Sequence, residues 1–332
     1  MDFPRPFRRV PLARMASACA LALAAGSALA SAPASSPAAP AAVTRGVPTA
    51  AAAQSDVQRL HAVAPDGTRL AVQVRGPAEA PAIVFVHGIA QSQLAFGRQV
   101  SSELAQRYRL VTYDLRGHGE SDKPTAEGAY ASGRVMSDDL QAVIKAAGVK
   151  RPVLVGWSLG GIVVAQYLRD YGEDGIAGVN FVGARVARPD GAPARMPGAA
   201  HLRTMLSEDL QLNIRATEAF VRACVAAPLA AEDFALMLGY NMASPVQARA
   251  ATLKWSGSTD FAAALAALTL PVLVTHGRQD QVIAPAVAEQ AAKDMPHARL
   301  SWFDTAGHSP FFEDADRFNR ELAEFVDAAA RR

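Results

Sequence analysis

A Gly-x-Ser-x-Gly pattern at residues 156–160 constrains this chain more than any other feature. The short apolar run at residues 152–155 predicts a buried strand before the pattern, and residues 162–167 predict a helix after it. A serine on such a tight turn has strained backbone angles, which explains why glycines flank it. The turn lifts the hydroxyl group of Ser158 clear of the sheet and directs the first helical amide groups toward the atom it attacks.

Strand and helix patterns alternate on both sides of this turn. Alternation of this kind predicts an α/β fold with a doubly wound, mostly parallel sheet, in which ligands bind at the carboxyl ends of the strands. The predicted strands are residues 57–63 and 69–74 (a hairpin), 83–86, 109–114, 152–155, 176–184, 270–277 and 299–303; the predicted helices lie near 94–108, 135–144, 162–167 and 316–330.

The alternation stops between about residues 185 and 259. This segment contains no strand pattern, only stretches rich in Ala, Leu and Met that are interrupted by Pro and Gly. Because it lies between the sixth and seventh strands of one sheet, it predicts a helical cap over their carboxyl ends.

The first thirty residues have the composition of a secretory signal peptide. A basic start is followed by an uncharged run rich in Ala and Leu and by a small-x-small site at residues 28–30, and the run is too short for a membrane span. Residues 31–55 are rich in Ala, Pro and Ser and predict a flexible leader, so the folded domain is expected at 56–332. We therefore expect an exported protein, periplasmic or secreted, with no stable membrane insertion after cleavage.

Charge and cysteine content argue against nucleic-acid binding, an internal disulfide and a metal site. Residues 1–30 contain four Arg and one Asp, so removing them lowers the formal net charge from +2 to −1 and leaves no basic patch for nucleic acid. Only Cys224 remains, so no internal disulfide can form. No Cys/His spacing for a metal and no phosphate-binding glycine loop is present, and we expect no cofactor and no metal. The sequence gives no indication of the oligomeric state.

A serine nucleophile needs a base and a group that orients the base. His308 follows the last strand on a loop that contains glycine, which makes it the best candidate for the base. Asp280 lies just after the preceding strand and is the best candidate for the acid. Asp304, on the same strand and loop as His308, is the nearest alternative for that role. The order Ser158, Asp280, His308 is one of the known orders of a catalytic triad.

The developing oxyanion also needs hydrogen-bond donors, usually backbone amide groups. Leu159 should supply one N–H group from the turn after Ser158. Ile89 should supply the other, because residues 87–88 end the third strand and Gly88 allows a close approach. His87 is interpreted as structural.

Four motifs together resemble the α/β-hydrolase superfamily from about residue 57 to the end: HGIA, YDLRGHGES, GWSLGG, and HGRQDQVI with GHSPFFE. The chain looks most like the cofactor-free serine esterases related to non-haem haloperoxidases and perhydrolases. In that group Ser158, Asp280 and His308 fall on the triad positions, and Ile89 and Leu159 on the oxyanion amides. Phe96 stands where the group often has Trp. A serine nucleophile argues against haloalkane dehalogenases and epoxide hydrolases, which use Asp.

These residues predict a serine hydrolase that cleaves small or medium carboxylic esters or lactones through an acyl-enzyme. Alternatives with the same triad are a carbon–carbon bond hydrolase and a perhydrolase or haloperoxidase-like enzyme; a more remote one is a non-catalytic protein that binds a ligand. Residues 89–92 and Trp157, expected to face the nucleophile, include no Arg or Lys. Arg185 and Arg188 are interpreted as solvated loop residues. We therefore expect an uncharged acyl pocket, which favours a neutral ester.

Overall fold

The computed structural model describes residues 57–126, 128–130, 132–188 and 196–332, so the predicted signal peptide and leader lie outside the described residues. Within these residues eight strands form one sheet in the order β1-β2-β4-β3-β5-β6-β7-β8. The strands are β1 (Gln58–Val63), β2 (Arg69–Arg75), β3 (Ala82–Val86), β4 (Arg109–Tyr113), β5 (Val153–Trp157), β6 (Gly178–Val182), β7 (Val272–Gly277) and β8 (Arg299–Phe303).

The sheet is parallel except at one edge. β1 pairs with β2, and β2 with β4, in antiparallel register, whereas all the other neighbours are parallel. Every residue of β3, β5, β6 and β7 is buried, because helices cover both faces of the sheet. The predicted α/β-hydrolase architecture is therefore confirmed.

Helices connect most of the strands in the described part of the chain. They are α1 (Gly97–Val100), α2 (Leu104–Arg107), α3 (Gly133–Ala146), α4 (Leu159–Tyr171), α5 (His201–Thr204), α6 (Leu210–Ala223), α7 (Ala231–Met242), α8 (Val246–Ser258), α9 (Ala262–Ala266), α10 (Pro285–Asp294), α11 (Pro310–Glu313) and α12 (Ala315–Ala330). None of the helices in these described ranges is long and apolar enough to cross a bilayer.

Two helical segments differ from the sequence prediction. The helix expected over residues 94–108 is broken into a 3₁₀ turn, α1 and α2. The hydroxyl of Ser101 donates to the carbonyl of Gly97 (2.7 Å), and the hydroxyl of Ser102 accepts from the amide of Leu104 (3.2 Å). Such local bonds compete with helical ones and interrupt the helix. The second difference is α10, which the sequence analysis did not identify.

The segment between β6 and β7 forms the predicted helical cap, with α5 to α9 in its described part. It packs closely on the loops at the carboxyl ends of the strands. The amide of Met196 donates to the carbonyl of Val282 (3.1 Å), and a Cβ atom placed on Gly307 would lie 2.7 Å from the amide nitrogen of Ala226. The cap therefore encloses the space above the strand ends.

Candidate active site

Ser158 lies between β5 and α4 in a backbone conformation that side chains rarely adopt, with φ 55° and ψ −116°. The surrounding contacts stabilise this strained conformation. The amide of Ser158 donates to the carbonyl of Val182 (2.9 Å) at the end of β6. A Cβ atom at Gly160 would overlap the carbonyl oxygen of Val86, so only glycine fits there. This is the strand–turn–helix context that the Gly-x-Ser-x-Gly pattern predicts.

His308 and Asp280 are in contact. The Nδ1 atom of His308 lies 2.8 Å from Oδ2 of Asp280, and both side chains are almost completely buried. The other carboxylate oxygen of Asp280 accepts hydrogen bonds from the amides of Val282 (2.7 Å) and Ile283 (2.9 Å). Among the described residues, Nε2 of His308 has no hydrogen-bond partner. The carboxylate thus places the proton on Nδ1 and leaves Nε2 as an acceptor.

Trp157 links the His308 loop to the nucleophile turn. Its indole N–H donates to the carbonyl of His308 (2.9 Å), and the two rings lie 5.7 Å apart. Because Trp157 immediately precedes Ser158, these contacts hold His308 beside the elbow. The sequence analysis placed Trp157 next to the nucleophile but did not predict this bond.

The electrostatic environment keeps Asp280 ionised. Burial opposes its charge, but His308 and the hydrogen bonds from His276 and His308 outweigh burial and hold the pKa of Asp280 below its usual range. Nε2 of His276 lies 3.3 Å from Oδ2 of Asp280 and 3.1 Å from the carbonyl of Ile283. Asp304, the alternative acid, instead pairs with Arg278 (2.7 Å) and its side chain is 74% exposed.

Glu313 fastens the His308 loop to the cap, a role that the sequence analysis missed. Its carboxylate accepts hydrogen bonds from the amide of Gly307 (2.8 Å) and from the amide of Ala226 (2.6 Å) in the cap. Burial raises the pKa of Glu313, and the backbone hydrogen bonds partly oppose that shift. One carboxylate therefore joins the loop of the candidate base to the segment above it.

The predicted oxyanion donors lie next to Ser158. A Cβ atom at Gly88 would be only 3.2 Å from Cβ of Ser158, so the loop after β3 passes close to the nucleophile. Ile89 and Leu159 both line the cavity that contains Ser158. Ala90, the next residue, has a positive φ of 59°. The two backbone segments therefore approach the nucleophile from different strands, as an oxyanion hole requires.

Two buried histidines shape the loop after β3. Nε2 of His118 accepts a hydrogen bond from the amide of Ala90 (3.1 Å), and Nε2 of His87 accepts one from the amide of Leu115 (3.0 Å). Burial lowers the pKa of both, and that of His118 to about 3. Both rings are therefore neutral acceptors at pH 7. His87 is structural, as interpreted from the sequence, whereas the role of His118 was missed.

The cavity over Ser158 has a volume of about 30 Å³ and is enclosed partly by the cap. Its lining residues are Ile89, Ser158, Leu159, Ile162, Arg185, Leu202, Leu253, Ser256, Val282 and Ile283. Arg185 is half-buried here, and its guanidinium donates to the carbonyl of Ser256. The prediction that no cation lines the acyl pocket is therefore wrong. The reason is the position of the cap. Helix α8 lies over the strand ends, and the carbonyl of its Ser256 holds the side chain of Arg185 at the cavity.

Other hollows differ in their relation to the candidate triad. One of about 10 Å³ adjoins Trp157 and Ser309 and is lined mainly by apolar side chains, among them Met237 and Phe311. A larger surface hollow at the amino ends of β3 and β5 contains none of the candidate residues. In the described ranges no group of three or more His, Cys, Asp or Glu side chains is arranged to hold a metal ion.

Residues 81–315 match the sequence model of a family described as the alpha/beta hydrolase fold. This stretch is well over half of the chain and includes Ser158, Asp280 and His308. The chain belongs to the α/β-hydrolase family. Its position in the family agrees with the resemblance seen in the motifs, since esterases and non-haem haloperoxidases are among its relatives.

Three relatives illustrate this placement of the α/β hydrolase. A protein of Burkholderia cenocepacia described as an aryl esterase is 36% identical and superposes with a TM-score of 0.76, covering 83% of this chain and 100% of its own. The bifunctional esterase/perhydrolase DCH of Acinetobacter calcoaceticus is 26% identical over 79% of this chain and 97% of its own length. The non-heme chloroperoxidase CPO-A1 of Kitasatospora aureofaciens is 27% identical over 74% and 92%.

The lowered pKa of His118 predicts that acid destabilises this α/β hydrolase. Between about pH 6.5 and pH 3, His118 is protonated in the unfolded chain but neutral in the folded chain. The free energy of unfolding therefore falls as the pH falls through that window. His118→Asn should lower the free energy of unfolding at pH 7. It should also reduce the pH dependence of that free energy by up to about 1.4 kcal/mol per pH unit. Urea unfolding at pH 7 and at moderately acidic pH measures both effects.

The matched control is His61→Asn, because His61 is exposed on β1. We expect it to leave the pH dependence of unfolding unchanged. An equal pH dependence in the wild type and in His118→Asn would show that His118 is not the group that responds.

Proposed function

We propose that this chain hydrolyses small to medium carboxylic esters or lactones, with Ser158 as nucleophile, His308 as general base and Asp280 as the group that orients the base. The observation that carries the proposal is the buried 2.8 Å contact between His308 Nδ1 and Asp280, which leaves Nε2 of His308 as a hydrogen-bond acceptor beside the elbow. A serine on a strained turn with such a histidine next to it is arranged for acyl transfer.

In this mechanism the hydroxyl oxygen of Ser158 bonds to the ester carbonyl carbon while Nε2 of His308 takes the hydroxyl proton. The negative charge on the carbonyl oxygen is stabilised by the backbone N–H groups of Ile89 and Leu159. The bond to the alcohol then breaks, and His308 returns the proton to the leaving oxygen. Water, deprotonated by His308, then attacks the acyl carbon. The bond from that carbon to the oxygen of Ser158 breaks, His308 returns the proton to this oxygen, and the acid is released. Asp280 remains ionised and stabilises the imidazolium ring.

Carboxylic ester hydrolysis is the class of activity that this family membership supports, since the relatives and structural neighbours include esterases. Most of the side chains that line the cavity of Ser158 are apolar, which suits a small or medium acyl group. Ester hydrolysis through an acyl-enzyme needs no group beyond the residues already placed.

A carbon–carbon bond hydrolase is the second candidate, because Arg185 lines the cavity that contains Ser158. A guanidinium group near the nucleophile suits a substrate whose carboxylate lies close to the cleaved bond. However, Arg185 is engaged with the carbonyl of Ser256, and most of the other side chains around the nucleophile are apolar. These features favour a neutral ester.

We expect rapid turnover of p-nitrophenyl acetate and butyrate by the purified chain and far slower turnover of vinylogous diketone acids. The reason is that most of the side chains lining the cavity of Ser158 are uncharged, which suits a neutral ester better than an acid. Steady-state kinetics on the two substrate classes measures the preference. Arg185→Met should leave acetate turnover within about tenfold, because no step of the ester reaction uses its charge. A reversed preference that Arg185→Met abolishes would support carbon–carbon cleavage instead.

We also propose that the chain is exported to the periplasm or the medium. The support is the sequence of residues 1–30, with its basic start, apolar run and small-x-small site. Mass spectrometry of the protein from its native host should find a mature chain that begins near Ser31 in the extracytoplasmic fraction. An intact Met1 on cytoplasmic material would contradict the proposal.

A further inference from the structure

A surface groove in the cap adjoins the cavity of Ser158. It has a volume of about 660 Å³ and is formed by α5, α8 and the residues that flank α5. The larger apolar side chains in its lining are Met196, Leu202, Leu206 and Leu253. Lys254 also lines the groove and is exposed, so the groove is open to solvent.

Two leucines belong to both hollows. Leu202 of α5 and Leu253 of α8 line the groove and also line the cavity of Ser158. A backbone hydrogen bond links the same two linings, from the amide of Met196 at the groove to the carbonyl of Val282 at the cavity (3.1 Å). A core side chain normally has atoms packed on every side. These two leucines instead have free space on two sides and separate the groove from the cavity.

The spacing along α8 places Leu253 at the boundary between the hollows. Ala250 lines the groove, whereas Ser256 lines the cavity. Leu253 is three residues from each of them and therefore adjoins both on the helix surface. The side of α8 that faces the groove thus meets the side that faces the cavity at Leu253.

The difference in size between the hollows determines what the leucines can do. The cavity of Ser158, with about 30 Å³, has room for little more than ordered water. The groove beyond the leucines is far larger and its lining is largely apolar. A hydrocarbon chain that extends from Ser158 in this direction meets Leu202 and Leu253 before it reaches the free space.

We propose that Leu202 and Leu253 form a wall that limits the length of the hydrocarbon chain of the ester, so that short-chain esters are the preferred substrates. The inference rests on the proposed ester hydrolysis and specifies its substrate class. One methylene group more or less in an apolar pocket changes kcat/KM by about tenfold or more. Two leucine side chains are therefore sufficient to set a limit on chain length.

The kinetic test is the ratio of kcat/KM for p-nitrophenyl octanoate to kcat/KM for p-nitrophenyl butyrate. We expect Leu202→Ala and Leu253→Ala each to raise this ratio by at least about tenfold, because the longer chain then extends into the groove. Both substrates are measured on one preparation, so a partly unfolded variant gives the same ratio. Octyl acetate and butyl acetate form a second pair, and a rise in that pair alone would place the limited chain in the alcohol part of the ester.

Leu206→Ala is the matched control, because Leu206 lines the groove and not the cavity. It enlarges the groove but leaves the wall in place, so both ratios should stay within about threefold of the wild type. Unchanged ratios in Leu202→Ala and Leu253→Ala would overturn the inference. An equal rise in Leu206→Ala would also overturn it, since a general loosening of the cap would then explain the effect.

Titration calorimetry tests the wall without turnover. Octanoate or 1-octanol should bind Leu253→Ala at least about tenfold more tightly than the wild type, because the chain then occupies the groove. If neither compound distinguishes the two proteins, the wall is assigned wrongly. Absence of p-nitrophenyl butyrate turnover by the wild type would instead contradict the proposed ester hydrolysis, and the calorimetric comparison would still test the wall.

Discussion

Replacement of Ser158 by alanine is expected to lower kcat for p-nitrophenyl acetate by at least about 10⁴-fold, because the acyl-enzyme can no longer form. In the described structure no hydrogen bond of the Ser158 hydroxyl holds the fold together. The hydrogen bond from the backbone amide of residue 158 to the carbonyl of Val182 is kept in the variant. The free energy of unfolding should therefore change little. Steady-state kinetics and urea unfolding on the same preparation separate loss of chemistry from loss of folding.

Ser309→Ala is the matched control for this prediction. Ser309 is also buried and follows His308, but it lines the second, mainly apolar hollow and not the cavity of Ser158. We expect its kcat to stay within about tenfold of the wild type. Comparable losses in the two variants would mean that Ser158 is not distinguished as the nucleophile.

Asp280→Asn is expected to lower kcat by about 10³- to 10⁴-fold. In the wild type one carboxylate oxygen accepts the amides of Val282 and Ile283, and the other faces Nδ1 of His308. An asparagine would keep its carbonyl oxygen on the two backbone amides and turn its NH₂ group toward the histidine. Nδ1 would then become the acceptor and Nε2 would carry the proton, so the ring could not deprotonate Ser158.

Asp304→Asn is the corresponding control. Its side chain is exposed and pairs with Arg278 at the surface, where an ion pair contributes little. The kcat of this variant should stay within a few-fold of the wild type. If Asp304→Asn were the more damaging change, the acid would have been assigned to the wrong residue.

The sheet could be predicted from the sequence because its strands are short, apolar and bounded by turns. β8 was predicted at the residues where it is found, and the helical cap was predicted from the loss of strand patterns between β6 and β7. The position of Ser158 between a strand and a helix was also predicted, since a glycine-flanked serine has few other structural contexts.

The details that the sequence did not predict depend on contacts between distant segments. The hydrogen bond from Trp157 to the carbonyl of His308 joins residues 151 positions apart, and the one from Ala90 to His118 joins two loops. Arg185 was interpreted as solvated because nothing local showed that α8 would fold over it. Such contacts follow from tertiary packing, which periodicity and spacing do not encode.

Helix α10 was missed for a local reason. It begins at Pro285, directly after the loop of Asp280, and its ten residues contain few large apolar side chains. Its buried residues are Val287, Ala288 and Ala291. Proline is found both in loops and at the first position of helices, so Pro285 does not by itself indicate a helix. Alanines are small, and the hydrophobic periodicity that they produce is weak.

The most direct test of the account is covalent labelling of Ser158. The purified chain should react with a fluorophosphonate to give one adduct per chain, and peptide mass spectrometry should locate it on Ser158, with no adduct in Ser158→Ala. Prior dialysis against a chelator should leave the labelling unchanged, because the proposed attack uses only Ser158, His308 and Asp280. An adduct on any other residue, or labelling that is lost after chelation, would contradict the proposed mechanism.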